Sequence, residues 1–133
     1  MASWKVNQTS SFELWFRELD DDAKEDIYAA MLVLAEIGPS LGRPRVDTVY
    51  GSRHSNMKEL RVQSNGRPIR ILFAFDTKRD AILLCGGDKT GEKRFYEVMV
   101  RQADQLFDEH LEGLKNEQSK RKNSGSKKTR RKR

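Results

Sequence analysis

A chain of 133 residues with 36% apolar side chains and a formal charge of +6 has the size of one domain with a modest core. Its single cysteine, Cys85, excludes an intramolecular disulfide, and no run reaches the ~20 apolar residues of a membrane-spanning helix. The opening segment MASWKVNQTS lacks the basic and apolar regions of a signal peptide, so a soluble, cytoplasmic protein with no membrane association is expected.

Trp4-Lys5-Val6 is a candidate for a short first strand. Ser10 with Glu13 three residues on forms a capping box, opening a helix through Phe12, Trp15, Phe16 and Leu19. Asp20-Asp21-Asp22 ends that helix and caps a second, in which Ile27, Ala30, Met31, Leu34 and Ile37 recur at helical spacing. Gly38-Pro39 stops it, completing a helical hairpin. Residues 38–56 hold three of the nine glycines and two of the three prolines, and read as a long loop. Strands are predicted at 57–63, 68–76 and 80–86, an antiparallel meander whose last strand is broken by Gly86-Gly87-Asp88. A final helix carries Ala103, Leu106, Phe107, His110, Leu111 and Leu114, and starts between Arg94 and Gln102. The expected fold is α+β, with the N-terminal helical hairpin and the C-terminal helix packed on one face of a small antiparallel sheet.

The charge is unevenly divided. Residues 119–133 carry nine Lys/Arg and no acid, leaving 17 basic and 20 acidic residues before them. Within that body, residues 41–94 hold twelve bases against six acids, while residues 11–40 hold eight acids against two bases. A basic central region is an electrostatic footprint for a polyanion. The domain is expected to span 1–116, with 117–133 as a basic tail that has too few apolar residues to order itself.

Asn65-Gly66 between two alternating runs is a strong hairpin signal. A two- or four-residue loop pairs positions whose numbers sum to 131, setting Arg61 opposite Arg70 and Glu59 opposite Leu72 on one face. Leu60, Val62, Ile69, Ile71 and Phe73 occupy the other. Like charges directly opposite on a sheet repel, so an anion belongs between the guanidiniums, with phosphate the best match to their planar fork. The bland alternative is a solvated face with Arg61 paired to Glu59 or Asp76. Gly86-Gly87-Asp88-Lys89-Thr90-Gly91 is not a Walker loop, because the glycine spacing is wrong and the lysine follows Asp88. It does let the chain turn and project Lys89 toward the same face, followed by Lys93, Arg94 and Tyr96. His54 and His110 have no Cys or His at metal-ligand spacing, so no metal site is expected. His54 is either an RNA contact or an ordinary loop residue; His110 reads as a packing residue.

Met57-Lys58-Glu59-Leu60-Arg61, then Pro68-Ile69-Arg70-Ile71-Leu72-Phe73, then Leu83-Leu84 before Gly86-Gly87-Asp88-Lys89-Thr90 together resemble the HigB/RelE-type toxins of bacterial type II toxin–antitoxin systems, in the phage-derived HigB-like branch. The likeness covers about residues 4–115 and excludes the tail. It implies a RelE/ParE-like fold and a cofactor-independent, metal-independent mRNA endonuclease acting on messages at the ribosome. A helix-turn-helix antitoxin would neutralise it, and only that complex would touch operator DNA. The implied cleavage gives a 2′,3′-cyclic phosphate and a 5′-hydroxyl. Arg61 and Arg70 are candidates for the charge clamp, Lys89 or Glu59 for removal of the 2′ proton, and Tyr96 for stacking or proton transfer. Lys58, Lys93, Arg94 and His54 are candidate RNA contacts. The chain departs from the branch at Asp88, which stands where relatives have the first of two lysines; an acid beside Lys89 works against its use as a base. Two other readings remain open: a ParE-like toxin that poisons gyrase without cutting RNA, and a non-enzymatic nucleic-acid-binding protein.

Overall fold

A computed structural model describes residues 4–91 and 93–131, with side chains as far as residue 120. Strand β1 (Val6–Gln8) precedes helices α1 (Ser10–Arg17) and α2 (Asp21–Ile37), and a 3-10 turn at Gly38–Ser40 leads to β2 (Val46–Thr48). Strands β3 (Lys58–Ser64), β4 (Arg67–Phe75) and β5 (Ala81–Asp88) follow, and α3 (Phe95–Arg131) closes the order. The five strands form one sheet in the order β1-β5-β4-β3-β2. Strand β1 runs parallel to β5, so the sheet is mixed; the other pairings are antiparallel.

The hairpin has the expected register. Asn65 and Gly66 both take positive φ (50° and 77°), which gives a two-residue type I′ turn, and Lys58↔Phe73 through Ser64↔Arg67 are paired, Arg61↔Arg70 among them. Helix α1 starts one residue earlier than a Ser10 cap would give. Thr9 is the N-cap, its Oγ1 accepting from Phe12 N at 3.1 Å. The same hydroxyl donates to Leu84 O at 2.6 Å. That carbonyl lies where the β4–β5 register jumps, from Leu72↔Cys85 to Phe73↔Leu83, so Thr9 satisfies a group at the irregularity. Asp20 is the N-cap of α2 but makes no side-chain cap bond; its carboxylate takes Arg67 instead.

The α+β class holds, but the helices do not share one face. Phe12, Ile27 and Leu34 of α1 and α2 pack with Leu60, Val62, Ile69, Ile71, Phe73 and Leu83. Phe95, Met99, Val100, Ala103 and Phe107 of α3 pack with Leu72, Ala74, Ile82 and Leu84 on the opposite face. Strands β4 and β5 are apolar on both sides because both sides are covered.

Gly86 and Gly87 do not end the last strand. Strand β5 continues through them because each admits a ring: a Cβ on Gly86 would lie 2.4 Å from Trp15 Cζ3, and one on Gly87 2.9 Å from Phe95 Cε1. The long loop expected over 38–56 contains β2, which pairs Val46↔Leu60 and Asp47↔Glu59. No break marks the expected boundary at 116: α3 runs on through residue 117. The side chains of residues 121–133, where most of the expected disordered basic tail falls, lie outside the described residues. Among the described residues no helix is long and apolar enough to cross a membrane.

Candidate active site

Alternation along β3 and the register with β4 put Glu59, Arg61 and Arg70 on the face that α3 partly covers. The two guanidiniums do share a face, but it is not bare. Glu59 lies between them, 4% exposed, accepting from Arg61 Nε at Oε2 (3.2 Å) and lying 3.6 Å from Arg70 Nε at Oε1. Arg61 also donates to Asp47 Oδ2 at 3.2 Å. The repulsion expected between paired arginines is thus offset by carboxylates within the fold. Arg61 keeps a third of its side chain exposed, whereas Arg70 is only 8% exposed as a residue. Arg70 Nη1 donates to Ile69 O at 3.0 Å, but its Nε is buried with no hydrogen-bond partner among the described residues. An unsatisfied buried donor costs about 1–3 kcal/mol and calls for an explanation.

The first turn of α3 delivers Tyr96 onto Glu59, its hydroxyl donating to Oε1 at 2.6 Å. Burial, reinforced by the bond to Glu59 and that carboxylate's charge, raises the Tyr96 pKa above its usual value of 10.0, against an opposing pull from Arg70. Lys89 Nζ lies 5.4 Å from the Tyr96 ring centroid, within cation–π reach. Asp88 does not lie on that lysine: its Oδ1 accepts from Thr90 N at 2.9 Å and Thr90 Oγ1 at 2.6 Å, and these bonds lower its pKa. Asp47 is held below the usual carboxylate range by Arg43 foremost and by the Thr48 amide, which makes it a weak base and a firm anchor for Arg61.

A cavity of about 430 Å³ opens over this group, lined by Asp47, Tyr50, Glu59, Arg61, Lys89 and Tyr96 among others. A second, of about 320 Å³, is lined by Pro44, Arg45, Arg61, Gln63 and Arg70. Arg61 belongs to both walls and separates them. The five residues put forward for catalysis, Glu59, Arg61, Arg70, Lys89 and Tyr96, therefore form one connected cluster drawn from β3, β4, α3 and the segment just after β5.

The four candidate RNA contacts are not brought together. Lys58 alternates onto the face of Leu60 and pairs with Phe73, away from the cluster. Lys93 is exposed just ahead of α3. Arg94 donates to both Glu97 oxygens, at 3.1 and 2.9 Å. His54 lies among the residues that fasten its loop to α3, its Nε2 2.7 Å from Asp108 Oδ1 and its ring edge-on to Phe107 at 4.8 Å. His110 Nε2 lies 2.9 Å from Asp76 Oδ2, tying α3 to the end of β4. Cys85 is buried, and burial pushes its thiol up to about 12, so it is inert packing. Asp47, Arg43, Arg45 and Tyr50 were missed by sequence reasoning, because β2 lay inside the expected loop. The available signal was Val46 and Val49, two apolar residues amid glycine and proline punctuation.

Residues 14–108 match the family described as "Phage derived protein Gp49-like (DUF891)". A Mycobacterium tuberculosis protein named "Putative toxin HigB2" is 49% identical over 110 residues, an alignment covering 81% of this chain and 55% of that protein. A second protein from that organism, "Putative toxin HigB3", is 52% identical over 100 residues, covering 74% of this chain and 86% of its own length. The chain thus spans about half of the first of these relatives. A mutant of the E. coli toxin RelE, solved in the free state, superposes with a TM-score of 0.50 at 12% identity, covering 76% of this chain and 98% of RelE, a likeness of fold. With the Gp49-like match over most of its length and HigB-named relatives at about half identity, and with a fold like that of RelE, the chain belongs to the phage-derived, Gp49-like family that includes HigB-type toxins.

Proposed function

We propose that this chain is the toxin of a toxin–antitoxin pair and cuts mRNA through its own side chains, with the Glu59–Arg61–Arg70–Tyr96–Lys89 cluster as the reaction centre. The observation that carries the reading is the convergence on Glu59 of two guanidiniums held opposite each other and the Tyr96 hydroxyl, with Lys89 beside that ring. The planar guanidinium fork matches phosphoryl oxygens.

Cleavage by an RNA 2′-hydroxyl needs a proton acceptor, a clamp for the extra charge on the phosphoryl oxygens, and a proton for the departing oxygen. In our reading Arg61 and Arg70 form the clamp. The 2′-hydroxyl gives its proton to Tyr96 Oη as Tyr96 passes its own to Glu59 Oε1, along the 2.6 Å hydrogen bond already formed. O2′ attacks phosphorus, the P–O5′ bond breaks, and the Lys89 ammonium protonates O5′. The products are a 2′,3′-cyclic phosphate and a 5′-hydroxyl, and no cofactor enters. Lys89 serves in this reading as the acid, with Tyr96 and Glu59 taking the 2′ proton. A ribosome-held message as substrate and a helix-turn-helix antitoxin as partner are expectations carried by the family resemblance, and belong to the same proposal.

The test is expression of the parent chain beside Arg61→Ala and Arg70→Ala, scoring growth arrest and mapping mRNA ends. Loss of one clamp donor should lower cleavage about a hundredfold or more, and the parent's cut ends should carry cyclic phosphate. Growth arrest that survives both substitutions with mRNA intact would replace this reading with the gyrase-poisoning one.

A further inference from the structure

Tyr50 is 85% exposed, more than any other large apolar or aromatic residue on the described surface. One exposed tyrosine is unremarkable. Its position is not. Tyr50 and Tyr96 both line the catalytic cavity and also a neighbouring cavity of about 410 Å³, whose other walls are Gly51, Arg53, Glu97, Val100, Arg101 and Asp104. Each hollow sets two cations against two carboxylates: Arg61 and Lys89 against Asp47 and Glu59 in the first, Arg53 and Arg101 against Glu97 and Asp104 in the second. The first holds the proposed reaction centre, and the two tyrosines, with Val100, give the second its aromatic and apolar wall.

The loop bearing Tyr50 is fixed rather than loose. Val49 N donates to Met57 O at 3.0 Å and Arg53 N to Asp104 Oδ2 at 2.9 Å, while the Ser52 hydroxyl donates to Asp104 Oδ1. Arg53 and His54 reach Asp108 one turn further along α3. Asp104 is only 3% exposed, and each of its oxygens accepts from this loop. The fastened backbone carries Tyr50 at the junction of the two hollows, with its ring out in solvent. A loop ordered in advance loses little freedom when its aromatic residue captures a flat partner.

We propose that Tyr50 is a stacking platform for the nucleobase next to the scissile phosphate, and that the hollow beyond it receives this base, making Tyr50 the residue that sets where along a single strand the cut falls. The inference rests on the nuclease reading above and names a second nucleotide subsite beside that centre. Base–aromatic stacking tolerates any base, because every base has a π-face. Tyr50 therefore sets position and affinity more than sequence.

The experiment uses the full chain and a short, uncleavable 2′-O-methyl oligoribonucleotide, with affinity measured by fluorescence anisotropy. Tyr50→Ala should weaken binding roughly tenfold, as expected for one lost stacked base, whereas Tyr50→Phe and Tyr50→Trp should keep the parent affinity. Moving an abasic site along the oligonucleotide should reveal one position at which parent and Tyr50→Ala bind equally, since the stacked base is then already missing. Equal affinity of parent and Tyr50→Ala on the intact strand would overturn the proposal, including where Tyr50→Ala instead loses affinity for the antitoxin. A tenfold loss that persists at every abasic position would overturn it as well. If the parent binds no RNA, the nuclease reading falls together with it; if only the Tyr50 comparison fails, that reading stands.

Discussion

Glu59 is the residue on which the site's stability and chemistry meet. It is nearly buried, and its two oxygens bridge guanidiniums from neighbouring strands. Glu59→Gln keeps the shape but leaves Arg61 and Arg70 opposed, and should cost about 2 kcal/mol in a urea melt, less than a fully buried pair because Arg61 is partly solvated. Sulfate should then take the carboxylate's place. The thermal midpoint of Glu59→Gln should rise more with added sulfate than that of the parent, and equal rises would show that the guanidiniums do not hold an anion between them. Tyr96 adds a pH-dependent part. Its folded pKa lies above 10.0, so its contribution is complete below the ordinary phenol range and is lost as pH rises through the folded value. Tyr96→Phe should be about 1 kcal/mol less stable at neutral pH. The gap should close above pH ~10, where the parent's phenol ionises, and denaturant midpoints at the two pH values would test this. The pairing of Arg61 with Arg70 was legible in the sequence because Asn65-Gly66 sets the register. The bridging carboxylate was legible only as an alternative. Asp47 was not legible at all, since a three-residue strand leaves too short an alternation to read.

At the scale of elements, glycine carried two meanings that sequence alone could not separate. Gly86 and Gly87 look like a strand breaker, yet they lie within β5 because Trp15 and Phe95 pack directly on their backbone. The reason is tertiary, so no local pattern contains it. Gly86→Ala should overpack against Trp15 and cost about 1–3 kcal/mol. In a Trp15→Leu background the same change should cost much less, and a double-mutant cycle read by chemical denaturation would show that coupling. An equal penalty in both backgrounds would locate the strain elsewhere. The position of α3 is a different case. Ile71–Phe75 and Ala81–Cys85 are apolar at consecutive positions, the pattern of a sheet covered on both faces, whereas the alternation along β3 marks one core face only. The placement of α3 was thus present in the sequence and outweighed by the hairpin's cleaner signal. It matters for function, because only a helix on that face can bring Tyr96 onto Glu59.

For the whole molecule, charge is partitioned more sharply than the total of +6 suggests. Residues 119–133 carry nine bases and no acid, while the cationic groups of the site are largely engaged by Glu59, Asp47 and neighbouring carboxylates. On the proposed reading, long-range attraction for a polyanion therefore resides mostly in the C-terminal segment, and the groups proposed for the reaction reside in the domain. The two roles are separable. A chain ending at residue 118 should bind RNA or ribosomes more weakly, with a shallower dependence of log affinity on log salt, because each phosphate contact on a single strand contributes a slope of about −0.7. Cleavage of a short oligonucleotide at saturating concentration should be spared, since the proposed reaction centre is drawn from residues 59–96. Binding measured across a salt series and single-turnover cleavage on the same preparations would test both statements. If affinity at physiological salt does not change on truncation, the attraction must arise within the domain, where the basic stretch 41–94 is the remaining source. If the saturated cleavage rate falls instead, the segment reaches the reaction centre and the separation of roles is wrong.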